Sequence, residues 1–396
     1  MTPDTKKKTV VFKGPVLTQS GYGQHSRQVS KWLLQRNDID VKFLATPWGN
    51  TPWLINHDAS AGLIGQIMQR TVGPENAASD VSIQLLLPDE WDPKLSNYNV
   101  GVTAAVETDR CHPSWIPACN AMDKVIVPSQ HAKLSLTNTG EVIKPLLVVP
   151  ESYSEAIDDV EQSTMRSSEI CEFSTDFNFL IFGQLTGNNP DNDRKNIFYT
   201  VKWLCEAFKD DKDVGIVVKT NAGKNTKIDK RIVTDLMRQL LVEVRKGPYP
   251  RFHLLHGDMS DREVAMLYRH KQVKALVSLT RGEGYGLPIL EAAASGLPVI
   301  ATGWSGHMDF LKHGKFISVY YQLDNIHPSR VDNKIFVKGA RWANASEQDF
   351  KKRAAKFREN SSTPQEWALA MKKNIRELYS FKKICQAYDE AFNGVL

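Results

Sequence analysis

Short apolar runs recur along this chain at intervals too wide for hairpins and about right for strands separated by helices. Residues 9–13, 41–45, 82–87, 100–106, 124–127 and 146–149 read as buried strands. A second series follows at 177–184, 214–219, 251–256, 274–279 and 298–301. Between the runs the apolar positions switch to helical spacing. Val29, Trp32 and Leu33 share one face of a helix over 24–36, and Leu287, Leu290 and Ala294 share one over 287–295. Further helices are predicted over 196–208 and 227–246. Strands apolar along their whole length, alternating with helices, predict an α/β protein with doubly wound parallel sheets. From residue 348 the chain is helical and basic, with Trp367, Met371, Ile375 and Leu378 set as a packing face.

Two series of strands imply two domains. A chain of 396 residues that is 41% hydrophobic can bury two cores. Between the series, residues 151–176 turn acidic, serine-rich and poor in large apolar side chains, which reads as a connection. The charge changes sign there too. Residues 1–180 carry 15 basic and 21 acidic side chains, a net of −6, and residues 181–396 carry 35 and 24, a net of +11. The organisation expected is a first Rossmann-like domain over 1–175, a second over 176–375, and a terminal helix over 376–396. The basic second half suits a partner carrying phosphate. No run approaches the ~18 apolar residues that span a bilayer. The N-terminal basic cluster is not followed by a long apolar region, so the expected location is cytoplasmic. Five cysteines, Cys111, Cys119, Cys171, Cys205 and Cys385, form no C-x-x-C pair and read as reduced thiols.

The chemistry concentrates in RGEGYGLPILEAAASGLPVIATGWSGHMDFL, residues 281–311. Glu283 and Glu291 stand with seven residues between them, around a glycine-rich turn that opens a helix. Gly284 and Gly286 allow a ligand close to the backbone, and Pro288 fits a first helical turn. The turn follows the 274–279 strand, so it lies at the carboxyl end of a parallel strand, where open α/β sheets bind ligands. Backbone N–H groups near Gly286 and Leu287 are suited to a phosphate. Upstream, Arg194 and Lys195 directly precede the 196–208 helix, a guanidinium and an ammonium beside a helix start. Lys219 ends its own strand at the same sheet edge.

This 281–311 stretch closely resembles the E, seven residues, E signature of retaining glycosyltransferases with the GT-B fold, of the family-4 type. The resemblance implies two Rossmann-like domains facing a cleft, with a C-terminal helix crossing back to the first. It implies that Glu283 approaches the donor sugar, that Glu291 binds the ribose hydroxyls, and that Arg194 and Lys195 hold the diphosphate. Where many relatives have Gly-Arg at the preceding strand end, this chain has Gly183-Gln184, one cation fewer. Gly21 and Gly23 resemble the family's N-terminal glycine loop, which approaches the donor. The string VETDRCHPSW resembles a first-domain pattern in which many relatives place a His near the sugar; here Glu107, followed by Thr108 and Asp109, is the candidate. Gly306 and His307 resemble the family turn that packs against the donor site, and His256-Gly257-Asp258 lies where relatives approach the nucleotide base.

A retaining transfer must stabilise positive charge at the anomeric carbon and negative charge on the departing diphosphate. Side chains and a helix terminus can supply the second, so no metal and no cofactor beyond the nucleotide-sugar donor is expected. The expected activity is transfer from a UDP- or GDP-sugar to a hydroxyl acceptor, with a glycan as first choice. Nucleic acid is an alternative partner, in the manner of phage enzymes that glycosylate 5-hydroxymethyl-pyrimidine bases; it calls for a basic track, which the second half favours and the first half does not. From a different class stands a non-catalytic nucleotide-sugar-binding protein, or a GT-B epimerase or phosphorylase.

Overall fold

The computed structural model describes residues 7–162, 171–184 and 189–396. The chain divides into two compact units, the first made of Met1–Val106, Arg110–Ser152 and Phe381–Leu396, the second of Glu107–Asp109 and Tyr153–Ser380.

In the first unit six strands form one sheet: β1 (Lys8–Gly14), β2 (Ile39–Ala45), β3 (Val81–Leu85), β4 (Tyr98–Val102), β5 (Lys124–Val127) and β6 (Leu146–Val148). They lie in the order β2-β1-β3-β4-β5-β6, all parallel. All six were legible as apolar runs. β4 stops at Val102 rather than 106, and Ala105 takes a φ of 52°, which a strand does not accommodate. The helix Gly21–Leu34 buries Val29, Trp32 and Leu33 against this sheet, as its spacing predicts. The terminal helix Phe381–Ala391 joins the same core through Phe381, Ile384 and Tyr388. Trp32 stacks on Tyr388 with ring centroids 5.1 Å apart, and its indole N–H donates to Asp389 Oδ1 at 2.9 Å.

The second unit repeats the plan with β7 (Phe177–Phe182), β8 (Val214–Thr220), β9 (Arg251–His256), β10 (Val273–Ser278), β11 (Val299–Thr302) and β12 (Ile317–Val319). Their order is β12-β11-β10-β7-β8-β9, again parallel throughout. β12 escaped the sequence reading because three residues leave no periodicity to count. So did an antiparallel hairpin, β13 (Tyr321–Asn325) and β14 (Arg341–Ala345), in which β13 is mostly exposed.

Residues 151–176, read as a connection, are partly structure. Ala156–Gln162 is helical, and Tyr153, Ile157, Val160 and Phe173 are buried in the core of the second unit. Their apolar side chains are few but fall at helical spacing. Glu161 pairs with Arg269 at 3.2 Å and also with Lys372 and Arg376. Of the predicted packing face near the C-terminus, Met371 and Ile375 are buried in the helix Ser362–Leu378, while Leu378 is 43% exposed. The face runs through Ala368 and on to Tyr379 instead, one position round the helix. Among the described residues no helix is long and apolar enough to cross a membrane.

Candidate active site

β10 ends at Ser278 and the chain turns through Leu279–Gly286, every residue of it buried, into the helix Leu287–Ser295. The turn closes because Gly286 adopts a φ of 104°, open to glycine and strained for other residues, and because Pro288 needs no N–H partner in the first helical turn. Glu283 sits in its middle. The Glu283 N–H donates to Ser305 Oγ at 2.9 Å and the Glu283 carbonyl accepts from Gly306 N at 2.9 Å, so the loop after β11 fixes the backbone. Ser305 itself has a φ of 87°, a strained conformation of the kind found at functional sites. His307 is fully buried and neutral, since burial holds its pKa below the ordinary value. Its Nε2 lies 2.7 Å from the Thr302 carbonyl, which only accepts, so Nε2 carries the proton. Nδ1 is then the acceptor facing Ser305 Oγ at 3.4 Å.

The Glu283 carboxylate meets both predicted cations. Lys195 Nζ donates to Oε1 at 2.7 Å and Arg194 Nη1 to Oε2 at 3.3 Å. Arg194 Nη1 also reaches the Gly282 carbonyl at 2.7 Å, and Arg194 Nε pairs with Glu107 at 3.2 Å. Burial pushes the Glu283 carboxyl up, but the charges of Lys195 and Arg194 outweigh it and hold the group down at about 2. Burial pulls Lys195 below its ordinary value, with Glu283 opposing and Arg194 adding repulsion. The carboxylate is thus an anion held between two cations.

Arg194 and Lys195 are aimed by the start of the helix Ile197–Ala207. Asp193 Oδ2 accepts the Ile197 N–H at 2.7 Å, and Asn196 takes a φ of 55°. Arg281 then fastens this loop to the β10 turn: its N–H donates to the Arg194 carbonyl at 2.8 Å, and its guanidinium to the carbonyls of Asp193 and Pro190, both at 3.2 Å.

Glu107 was expected in the first domain; residues Glu107–Asp109 belong with the second unit. Gly282 makes this possible, because a Cβ there would lie 1.8 Å from the Glu107 carbonyl oxygen. Asp109 pairs with Arg341 of β14 at 2.8 Å; the Asp109 N–H donates to the Arg341 carbonyl at 2.9 Å and the Arg341 N–H to Asp109 Oδ1 at 2.7 Å.

Glu291 lies further along the helix, 6% exposed, and accepts a hydrogen bond from the Tyr268 hydroxyl at 3.4 Å. Phe182 stacks on Tyr268, with centroids 5.8 Å apart. The two glutamates therefore differ in surroundings, one set among cations and the other beside a phenol. Lys219 is 4% exposed and donates to the Gly257 carbonyl at 2.6 Å and Asn221 Oδ1 at 2.7 Å, strapping the ends of β8 and β9 together. Burial pulls its pKa down to about 8. Gly284 lies inside the buried turn, its carbonyl so close to Gly306 that a Cβ on Gly306 would meet it at 2.2 Å. Gly21 and Gly23 belong to the first unit, at the start of the helix Gly21–Leu34; Gly23 N–H donates to the Ser20 cap at 2.9 Å.

The structure thus gathers Glu283, Arg194, Lys195 and Glu107, with Gly284, Gly286 and Leu287 in the same turn. Sequence reasoning passed over Gly282, Ser305, Arg281 and Tyr268. Gly282, Arg281 and Ser305 had a signal, since all three lie in the 281–311 motif; Tyr268 lies outside it and had none.

Comparison with known proteins adds to this geometry. The family model described as "Glycosyl transferases group 1" matches residues 250–377, a span that includes Glu283 and Glu291. "Probable sucrose-phosphate synthase" of Thermosipho melanesiensis is 27% identical over 168 residues, 41% of this chain and 35% of that protein, so the match spans about a third of the relative. Among solved structures, Anabaena Alr3699/HepE in complex with UDP and glucose is similar with a TM-score of 0.61 at 13% identity, covering 98% of this chain and 100% of that one. A glycosyltransferase from Rickettsia africae is similar with a TM-score of 0.66 at 12% identity, covering 98% of each chain. Likeness at such identities speaks to fold. Two parallel six-stranded sheets with flanking helices, matching those structures, make the fold GT-B, and within the second unit residues 250–377 match the glycosyl transferases group 1 model.

Proposed function

We propose that this protein is a retaining glycosyltransferase of the family-4 type, moving a sugar from a UDP- or GDP-sugar to a hydroxyl acceptor, most simply a glycan. The observation that carries the reading is the buried Glu283 carboxylate with Lys195 and Arg194 on its two oxygens, at the carboxyl end of a parallel strand and one turn before a helix. The UDP and glucose held by Anabaena HepE support the choice of donor.

In this reading Lys195 and Arg194 meet the diphosphate, assisted by the backbone at Gly286 and Leu287. Glu283 lies beside the sugar and stabilises positive charge as the bond from the anomeric carbon to the diphosphate oxygen breaks. The acceptor oxygen attacks from the same face, and its proton passes to the departing diphosphate oxygen. Glu283, held ionised at about 2, is a poor proton acceptor at neutral pH and acts by charge instead. Glu291 takes the ribose hydroxyls and Glu107 a sugar hydroxyl. The charge for the leaving group comes from side chains, so transfer proceeds without a metal ion.

The test is a panel of UDP- and GDP-sugars incubated with the protein in chelator, reading nucleotide release with and without glycan acceptors. Acceptor-dependent release by the wild type, abolished in Glu283→Ala, supports the reading. Full release by that variant overturns it, and an inverted anomer in the product overturns retention. Release stimulated by hydroxymethylated duplex DNA alone would move the acceptor to nucleic acid.

A further inference from the structure

The cluster just described is electrically balanced. Lys195 and Arg194 face Glu283 and Glu107, and Arg281, the next cation, is bonded to the carbonyls of Asp193 and Pro190. A doubly charged diphosphate arriving here would find two cations already paired with two carboxylates. Tight binding calls for positive charge beyond that balance.

The hairpin of β13 and β14 offers it. The connection between its strands, residues 326–340, is long for a hairpin, and loops of that length in compact domains are commonly functional. This one is ordered by its own packing. Ile326, Phe336 and Trp342 are buried, and Asp332 Oδ1 accepts the N–H groups of Lys334, Ile335 and Phe336 at 2.8–2.9 Å. It is also fastened to the site. Asn192 Nδ2, two residues before Arg194, donates to Ser329 Oγ at 3.1 Å, and Ala343 N donates to the Arg281 carbonyl at 2.8 Å.

Arg330 directly follows Ser329. Its guanidinium lies over the Phe336 ring, 4.3 Å from the centroid, a cation–π contact that holds the side chain. Its Nε is buried and has no hydrogen-bond partner among the described residues. The Ser329–Asn192 bond sets this turn of the hairpin beside the Arg194 loop, and after burial Arg330 feels the positive charge of Arg194 and then the carboxylates of Asp332, Glu107 and Asp193.

We infer that Arg330 is a third cation for the phosphates, delivered by the hairpin insert, and that it makes the site select a nucleoside diphosphate over a monophosphate. The inference rests on the nucleotide-sugar reading. In it the ligand satisfies the stranded Nε donor, while stacking on Phe336 holds the guanidinium in place.

Titration calorimetry on the full chain tests it, with UDP, GDP, UMP and GMP as probes against wild type, Arg330→Gln and Arg330→Lys. Gln keeps a donor without charge and Lys keeps the charge without the planar fork. The expected result is diphosphate binding weakened about tenfold or more in Arg330→Gln, monophosphate binding changed far less, and partial recovery in Arg330→Lys, with unchanged melting midpoints. Diphosphate affinity within about twofold of wild type in Arg330→Gln, or equal losses for mono- and diphosphates, overturns the inference while leaving the donor reading intact. A wild type that binds neither UDP nor GDP overturns the donor reading first.

Discussion

Replacing Glu283 by glutamine removes one charge and almost no volume, so its effect isolates the electrostatics of the cluster. The side chain is 8% exposed, with Lys195 Nζ at 2.7 Å and Arg194 Nη1 at 3.3 Å, and solvent screening is therefore slight. Lowering the carboxyl from 4.5 to about 2 corresponds, at 1.36 kcal/mol per pH unit, to about 3 kcal/mol of preference for the ionised form. Breaking a buried ion pair by removing one partner costs about 3–5 kcal/mol in general, which agrees. The loss has a pH signature. Because the folded pKa is depressed, the stabilisation is fully present above the unfolded value of 4.5 and disappears as pH falls through about 2. Between those values the unfolded chain takes up the proton first, and at pH 3 roughly half the effect remains, about 1.4 kcal/mol. Urea unfolding followed by tryptophan fluorescence, at pH 7 and pH 3, compares wild type with Glu283→Gln. A difference under about 0.5 kcal/mol at pH 7, the level of an ordinary surface substitution, would refute the buried cluster. A difference equal at both pH values would refute its ionic origin.

Two further predictions follow from packing. Gly282→Ala puts a methyl 1.8 Å from the Glu107 carbonyl oxygen, so the strand of chain at 107–109 must move; a loss of about 1–3 kcal/mol is expected, with nucleotide release falling as the Glu107–Arg194 pair separates, and an unaltered melting midpoint would contradict it. Ending the chain after Ser380 removes Ile384, Tyr388 and Phe392 from the core of the first unit, each worth about 1.5–3 kcal/mol of buried side chain. Limited proteolysis should then digest the first unit while the second persists; equal resistance of both would show that the terminal helix is dispensable.

Much of the fold was legible because parallel strands are buried on both faces and so write themselves as continuous apolar runs. That is why, among the described residues, eleven of the fourteen strands could be read from 9–13 onward, and why the ones lost were the three-residue β12 and the half-exposed hairpin. The helix over 287–295 was placed to the residue, since Gly286, Pro288 and Gly296 punctuate both of its ends. The acidic stretch at 151–176 misled in part: composition registers average polarity, whereas Tyr153, Ile157 and Val160 needed only one apolar stripe to dock.

What the sequence determined by itself was therefore local: the strand and helix order, the glycine turn, and the pairs of charged residues that flank helix starts. Those depend on the chemistry of neighbours a few positions apart. Only the tertiary structure decided that Glu107 joins the second unit, that Arg194 stands between two carboxylates, and that the hairpin is fastened to the Arg194 loop through Ser329 and Asn192. Residues 107, 194 and 283 are separated by long stretches of chain, and their meeting is set by sheet order and by contacts such as Gly282 against Glu107, for which no periodicity in the sequence exists.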